Sequence, residues 1–160
     1  MSKVHVLMVC LGNICRSPTA QGIFEHRVRE RGLDDWIEVD SAGTSGWHIG
    51  EPPDPRSIRA ARERGFDLSG QRGRQVTEQD FDRFDYVLAM DFQNLQALRA
   101  LCPQNYGGYL GRLLDFSSDK RRQDVPDPYH GGSAGFELVL DLIEDACEGL
   151  LQHILERRPA

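Results

Sequence analysis

The run Cys10-Leu11-Gly12-Asn13-Ile14-Cys15-Arg16-Ser17 sets a thiol ahead of a guanidinium and a hydroxyl in a C-x5-R-S pattern. A thiol attacks as its thiolate, and a helix N-terminus or a neighbouring Arg favours that form. Arg16 offers a planar fork suited to two oxygens of a phosphate. Gly12 and Asn13 tolerate positive φ, so the segment Leu11 to Cys15 can wrap with its amides facing inward as an anion nest. The Ser17 hydroxyl is a further donor for the sulfur. Taken together, the segment reads as a phosphate cradle with a nucleophile at its base, and it lacks the G-x-x-x-x-G-K-[ST] pattern of nucleotide-binding loops. A thiolate under a bound phosphate ester can attack phosphorus in line and form a phosphocysteine, with the amides and Arg16 facing the equatorial oxygens. The departing oxygen needs a proton, and Asp127, in Asp127-Pro128-Tyr129, is the candidate acid.

These groups need a scaffold that delivers them to one rim. Val4 to Val9 is a nearly continuous apolar run, as in a strand buried on both faces of a parallel sheet. Ser17-Pro18 reads as a helix N-cap followed by Pro at the first helical position, with Gly32 as the stop. Ile37 to Val39 is a second strand, and Asp54-Pro55 opens a helix that ends at Gly65. Tyr86 to Met90 is a third strand, Asp91 caps a helix stopping at Pro103, and a fourth strand falls within Tyr109 to Asp115. Phe136, Val139, Leu140, Ile143, Ala146, Cys147, Leu150, Leu151 and Ile154 recur at spacings of three and four, the stripe of a long amphipathic helix. Alternating strands and helices predict an α/β fold with a parallel sheet, helices on both faces and the phosphate-binding loop after strand one. Ligands of such sheets bind beyond the carboxyl ends of the strands. The Cys10 loop, the Trp47-His48 loop and the long polar stretch Ser117 to Gly135 are therefore expected to meet there.

Composition narrows the classes. With 160 residues, 39% hydrophobic and 28% charged, the chain is expected to form one globular domain over residues 1–160. A net charge of -6, from 19 basic against 25 acidic residues, argues against broad contact with nucleic acid. The longest apolar run, Val6 to Leu11, is far too short to span a bilayer, so a cytoplasmic protein without signal peptide or membrane attachment is expected. Four Cys are too few for a disulfide scaffold, and five scattered His show no metal-ligand spacing, so no metal is expected. Cys102 and Cys147 fall on apolar helical faces and read as core, Arg157-Arg158 suits a helix C-terminus, and His48 and His130 are assigned no role.

At this point the chain resembles the low-molecular-weight protein tyrosine phosphatase family. The C-x5-R-S run and the later Asp127-Pro128-Tyr129 match in order, and Ser41-Ala42-Gly43-Thr44, Arg74-Gln75 and Met90-Asp91 with Asn94-Leu95 extend the likeness over nearly the whole chain. The resemblance implies a four-stranded sheet, no cofactor, Cys10 as nucleophile, Arg16 as phosphate clamp, and Asp127 as acid and then base. It implies a supporting network of Asn13, Ser17 and Ser41, and pocket walls from Leu11, Trp47 and Tyr129 that admit a phosphotyrosine ring. Ile14 stands where relatives acting on phosphoarginine carry Thr, which favours tyrosine. Where many members have a His in line with the network, this chain has Gln71, and altered loop rigidity is expected. Cys15 lies close enough to the reactive thiol, and the family likeness agrees, for a reversible disulfide with Cys10. Phosphotyrosyl proteins are the expected partners, inorganic phosphate the product, and a monomer the favoured state. A thiol-redox arsenate reductase is the competing enzyme class, but it wants further cysteines within reach and none lies between Cys15 and Cys102. A phosphate-binding module without catalysis would need neither an activated thiol nor an opposing acid.

Overall fold

In the computed structural model, which describes residues 3–129 and 132–157, strand β1 (Val4–Cys10) occupies the interior of a four-stranded sheet. It is flanked by β2 (Ile37–Gly43) and β3 (Tyr86–Ala89), and β4 (Tyr109–Arg112) completes the order β2-β1-β3-β4, every pairing parallel. Two apolar clusters explain the unbroken hydrophobic run in β1. Val6, Met8 and Cys10 face one cluster and Leu7 and Val9 the other, so successive side chains are buried on opposite faces.

Helices cover both faces. Helix α1 (Arg16–Glu30), helix α2 (Pro55–Glu63) and helix α5 (Ser133–Glu156) supply the first cluster. The short α3 (Asp80–Arg83) and α4 (Phe92–Leu101) line the second through Phe81, Leu95 and Leu98. All nine stripe positions of the last helix are buried as the spacing predicts. Asp54 caps α2 by accepting from the Arg56 amide, and Asp91 caps α4 by accepting from the Asn94 amide.

Several local expectations are corrected. Ser17 is not the N-cap of α1: the helix starts at Arg16 after Cys15, no side chain caps it, and the Ser17 hydroxyl turns toward the sulfur of Cys10 instead. Strand β2 runs on to Gly43, four residues past Val39, because the polar Asp40 and Ser41 hold side-chain partners rather than ending the strand. Helix α3 and the 3-10 turn Leu113–Phe116 carry no signal strong enough to be read beforehand. Cys147 is core, whereas Cys102 sits half-buried at the C-terminal cap of α4, against the second cluster. Arg157 closes α5 and reaches the His153 carbonyl; His130 and Arg158 lie outside the described residues. No helix among the described residues is long and apolar enough to cross a membrane.

Candidate active site

Register brings the site together. Cys10 is the last residue of β1 and pairs with Gly43 at the end of β2, while Val9 pairs with Ala89 at the end of β3. The chain passes from β1 to β2 on one side and returns to β3 on the other, so the carboxyl end of β1 is a switch point where a crevice opens. Into it project the Cys10–Ser17 loop, the loop after β2 carrying Trp47 and His48, and the segment carrying Asp127 and Tyr129. A pocket of about 160 Å3 is lined by Cys10, Leu11, Gly12, Ile14, Cys15, Arg16, Trp47, His48, Asp127 and Tyr129. Asn13, Ser17 and Ser41 lie behind this wall.

The sulfur of Cys10 faces donors. It lies 3.3 Å from the Asn13 amide and 3.0 Å from Ser17 Oγ. Asn13 holds φ 58, a left-handed conformation that Asn tolerates, and this turns its amide toward the sulfur. Its side chain is nearly inaccessible and fully used. Nδ2 donates to Ser17 Oγ at 2.8 Å and to Ser41 Oγ at 2.9 Å, and Oδ1 accepts the Arg74 amide at 3.0 Å. Because Asn13 donates to Ser17, the single Ser17 proton must point elsewhere. The sulfur at 3.0 Å is closer than the Ala42 carbonyl at 3.4 Å, so with Cys10 as a thiolate, which has no proton to give, Ser17 donates to sulfur. Ser41 in turn donates to Gln21 Oε1 at 2.6 Å, and Gln71 closes the network with Nε2 on the Pro18 carbonyl at 2.9 Å and Oε1 3.4 Å from Ser41. Gln71 thus takes up the station anticipated for it.

Arg16 is 2% exposed and strongly engaged. Its Nη1 donates to Asp91 Oδ2 at 2.6 Å and to the Val125 carbonyl at 3.0 Å, and its Nη2 lies 3.6 Å from Asp127 Oδ2. Burial alone would disfavour the charged guanidinium, but attraction to the ionised forms of Cys10, Asp91 and Asp127, with the hydrogen bond to Asp91, outweighs it and holds Arg16 above its ordinary value. The Tyr129 amide donates to Asp127 Oδ1 at 3.0 Å, which orients the carboxylate. Burial pushes the Cys15 thiol up to about 12, with a hydrogen bond from Ser57 offsetting only part of that. Cys10 and Cys15 are both free thiols.

Trp47 is 72% exposed yet lines the pocket, as Leu11 and Tyr129 do, so the three expected walls surround one opening. Two residues escaped sequence reading. His48 also lines the pocket, with Nδ1 3.0 Å from Glu51, and Asp91 holds Arg16. A lone His carries no sequence signal, whereas Asp91, in Met90-Asp91 with Asn94-Leu95, offers locally only a helix cap. Among the described residues, no cluster of His, Cys, Asp or Glu could hold a metal ion. Of the other cysteines only Cys15 shares the pocket with Cys10.

The family described as low molecular weight phosphotyrosine protein phosphatase matches residues 5–160. A Bacillus subtilis protein named low molecular weight protein-tyrosine-phosphatase YfkJ is 45% identical over 155 residues, covering 97% of this chain and 98% of the relative. Its crystal structure superposes with a TM-score of 0.93 over 99% of both chains, at 44% identity. A Streptomyces coelicolor low molecular weight protein-tyrosine-phosphatase is 44% identical over 156 residues, covering 96% of this chain and 94% of the relative. A protein tyrosine phosphatase from Entamoeba histolytica, solved with Hepes in its active site, superposes with a TM-score of 0.92 at 38% identity, covering 96% of this chain and 98% of that one.

Proposed function

The chain belongs to the low molecular weight phosphotyrosine protein phosphatase family, and from that premise we propose that it hydrolyses phosphotyrosine in proteins through a phosphocysteine intermediate. The observation that carries the reading is the meeting of Cys10, Arg16 and Asp127 on one pocket, with a hydroxyl and a backbone amide aimed at the sulfur. In the first step the Cys10 sulfur uses a lone pair to form the S–P bond while the P–O bond to the tyrosyl oxygen breaks. Asp127, protonated, delivers its proton to that oxygen, so tyrosine leaves neutral. Arg16 and the loop amides of Leu11, Gly12, Ile14 and Cys15 hold the equatorial oxygens, where negative charge is spread in the transition state. In the second step Asp127, now a carboxylate, takes a proton from water as the water oxygen attacks phosphorus. The S–P bond breaks, and thiolate and inorganic phosphate are released. Ser17 and the Asn13 amide stabilise the sulfur as a nucleophile and again as a leaving group.

Leu11, Trp47 and Tyr129 form walls suited to an aryl ring, and the apolar Ile14 offers no partner to a guanidinium. Every residue in this scheme comes from one chain, so a monomer of one domain suffices. A free thiol nucleophile fits a reducing compartment, in keeping with a cytoplasmic location. The test is turnover of a phosphotyrosyl peptide against phosphoseryl and phosphoarginyl peptides, with Cys10→Ser, Arg16→Ala and Asp127→Ala beside the wild type. Phosphotyrosine should be preferred, Cys10→Ser should abolish turnover while phosphate still binds, and Arg16→Ala should weaken both. Full turnover by Cys10→Ser, or arsenate reduction outpacing ester hydrolysis, overturns the proposal.

A further inference from the structure

We propose that Arg56 is a positioning residue for the reaction: it fixes where Asp127 stands over the pocket by tying the acid-bearing segment to the nucleophile loop. This rests on Asp127 acting as the general acid. The tie begins at Asp54, whose amide donates to the Ile14 carbonyl of the nucleophile loop at 2.7 Å. The Asp54 carboxylate, 7% exposed, receives Arg56 Nε at 3.1 Å and Nη2 at 2.9 Å, a two-point grip that fixes the plane of the guanidinium. From that plane Nη2 also donates to the Tyr129 carbonyl at 2.8 Å. The guanidinium carbon sits 4.8 Å from the centre of the Phe136 ring and 5.6 Å from that of Tyr129, so packing against the two rings limits its swing. Tyr129 is also the residue whose amide holds Asp127 Oδ1. Arg56 therefore grips the carbonyl side of the residue whose N–H aims the acid.

The acid needs such a tie. Upstream, the segment is anchored where the Val125 amide donates to the Met90 carbonyl at 2.8 Å. Past that point Asp127 is exposed, with 43% of its side chain in solvent, and Arg16 at 3.6 Å is a loose second contact. Displacing a proton donor by about 1 Å can cost on the order of a hundredfold in rate. Only Arg can supply the grip: a Lys has one ammonium and cannot hold both Asp54 oxygens in a fixed plane while reaching Tyr129.

The experiment reads the dependence on leaving group. kcat/KM is measured for phenyl phosphate, whose phenolate needs a proton to leave, and for 2,4-dinitrophenyl phosphate, whose phenolate does not. The enzymes are wild type, Arg56→Ala, Arg56→Lys and Asp127→Ala. Arg56→Ala should lower kcat/KM on phenyl phosphate about tenfold or more and on the dinitrophenyl ester less than about threefold, a smaller copy of the Asp127→Ala pattern. Arg56→Lys, which keeps charge and stem and so guards against a folding defect, should fall between Arg56→Ala and wild type. A role confined to stability would lower both esters alike, and that result, or no loss at all, overturns the inference. If Asp127→Ala shows the contrast and neither Arg56 variant does, this inference alone fails. If Asp127→Ala shows no contrast, the acid assignment fails and takes this inference with it.

Discussion

Replacing Asp91 with Asn tests whether Arg16 is held in place before substrate arrives. Asp91 Oδ1 accepts the Asn94 amide at 2.7 Å, and Oδ2 accepts Arg16 Nη1 at 2.6 Å. An Asn side chain satisfies only one of these. If its oxygen keeps the cap, its NH2 faces the guanidinium, donor against donor, and if it flips to serve Arg16 the cap is lost. Arg16 is only 3% exposed along its side chain, so water cannot replace the missing acceptor, and a hydrogen bond to a charged group contributes about 1.5–3 kcal/mol. At about 1.4 kcal/mol per factor of ten, loss of that orientation should lower kcat/KM about ten- to a hundredfold. Asp91→Ala removes the cap as well, a further ~1 kcal/mol of folding stability, with little further change in kcat/KM. Urea unfolding and aryl phosphate kinetics on the two variants separate the effects. If Asp91→Asn stays within about twofold of wild type in kcat/KM, the reasoning about a preset guanidinium is refuted.

Three further outcomes follow from particular contacts. A Cβ added at Gly43 would lie 2.8 Å from the Leu11 carbonyl oxygen and 3.1 Å from the Gly12 carbonyl carbon. Backbone must therefore shift, so Gly43→Ala should lose about 1–3 kcal/mol in unfolding and at least about tenfold in kcat/KM, and wild-type kinetics would show the loop is not fixed there. Cys15, its thiol pushed up by burial, should resist iodoacetamide at about pH 8 while Cys10 is labelled. The folded state holds the Cys15 proton more tightly, so its stability contribution declines as pH rises past the ordinary thiol value of 9.0; labelling of Cys15 as fast as Cys10 would contradict this. At Asp145, burial raises the carboxyl but hydrogen bonds from the Ser118 amide and the Ser118 and Ser117 hydroxyls outweigh it and hold it below 3.8. That stabilisation is present above the unfolded value and lost as pH falls through the lower folded one. The gap in unfolding free energy between wild type and Asp145→Asn should therefore shrink on acidification from about pH 6 to about pH 3, and a constant gap would refute it.

What could be read from the sequence is what is local. The stripe from Phe136 to Ile154 and the apolar run of β1 report burial through their own spacing, and the Cys10–Ser17 segment holds its thiol, guanidinium and hydroxyl within eight contiguous residues. What could not be read depends on partners distant in sequence. Asp91 looks like a helix cap because Arg16 is 75 positions away, and Asp54 with Arg56 looks like another because Tyr129 is 73 positions beyond Arg56. Ser17 carries two signals in sequence, a cap before Pro and a donor to the sulfur, and only the folded loop shows that the hydroxyl serves the sulfur and leaves the helix end uncapped. Polar Asp40 and Ser41 concealed the end of β2 because their partners Arg74 and Asn13 come from other segments.

The proposed mechanism stands or falls on whether phosphorus is ever bonded to Cys10. Asp127→Ala, which should slow breakdown of the intermediate, is mixed with an aryl phosphate, quenched within milliseconds and mapped by mass spectrometry. One phosphoryl group is expected on the peptide bearing Cys10, rising toward one per chain, and none on the Cys10→Ser protein. Steady release of phosphate with no phosphoryl group at Cys10, or with one on another residue, would contradict it.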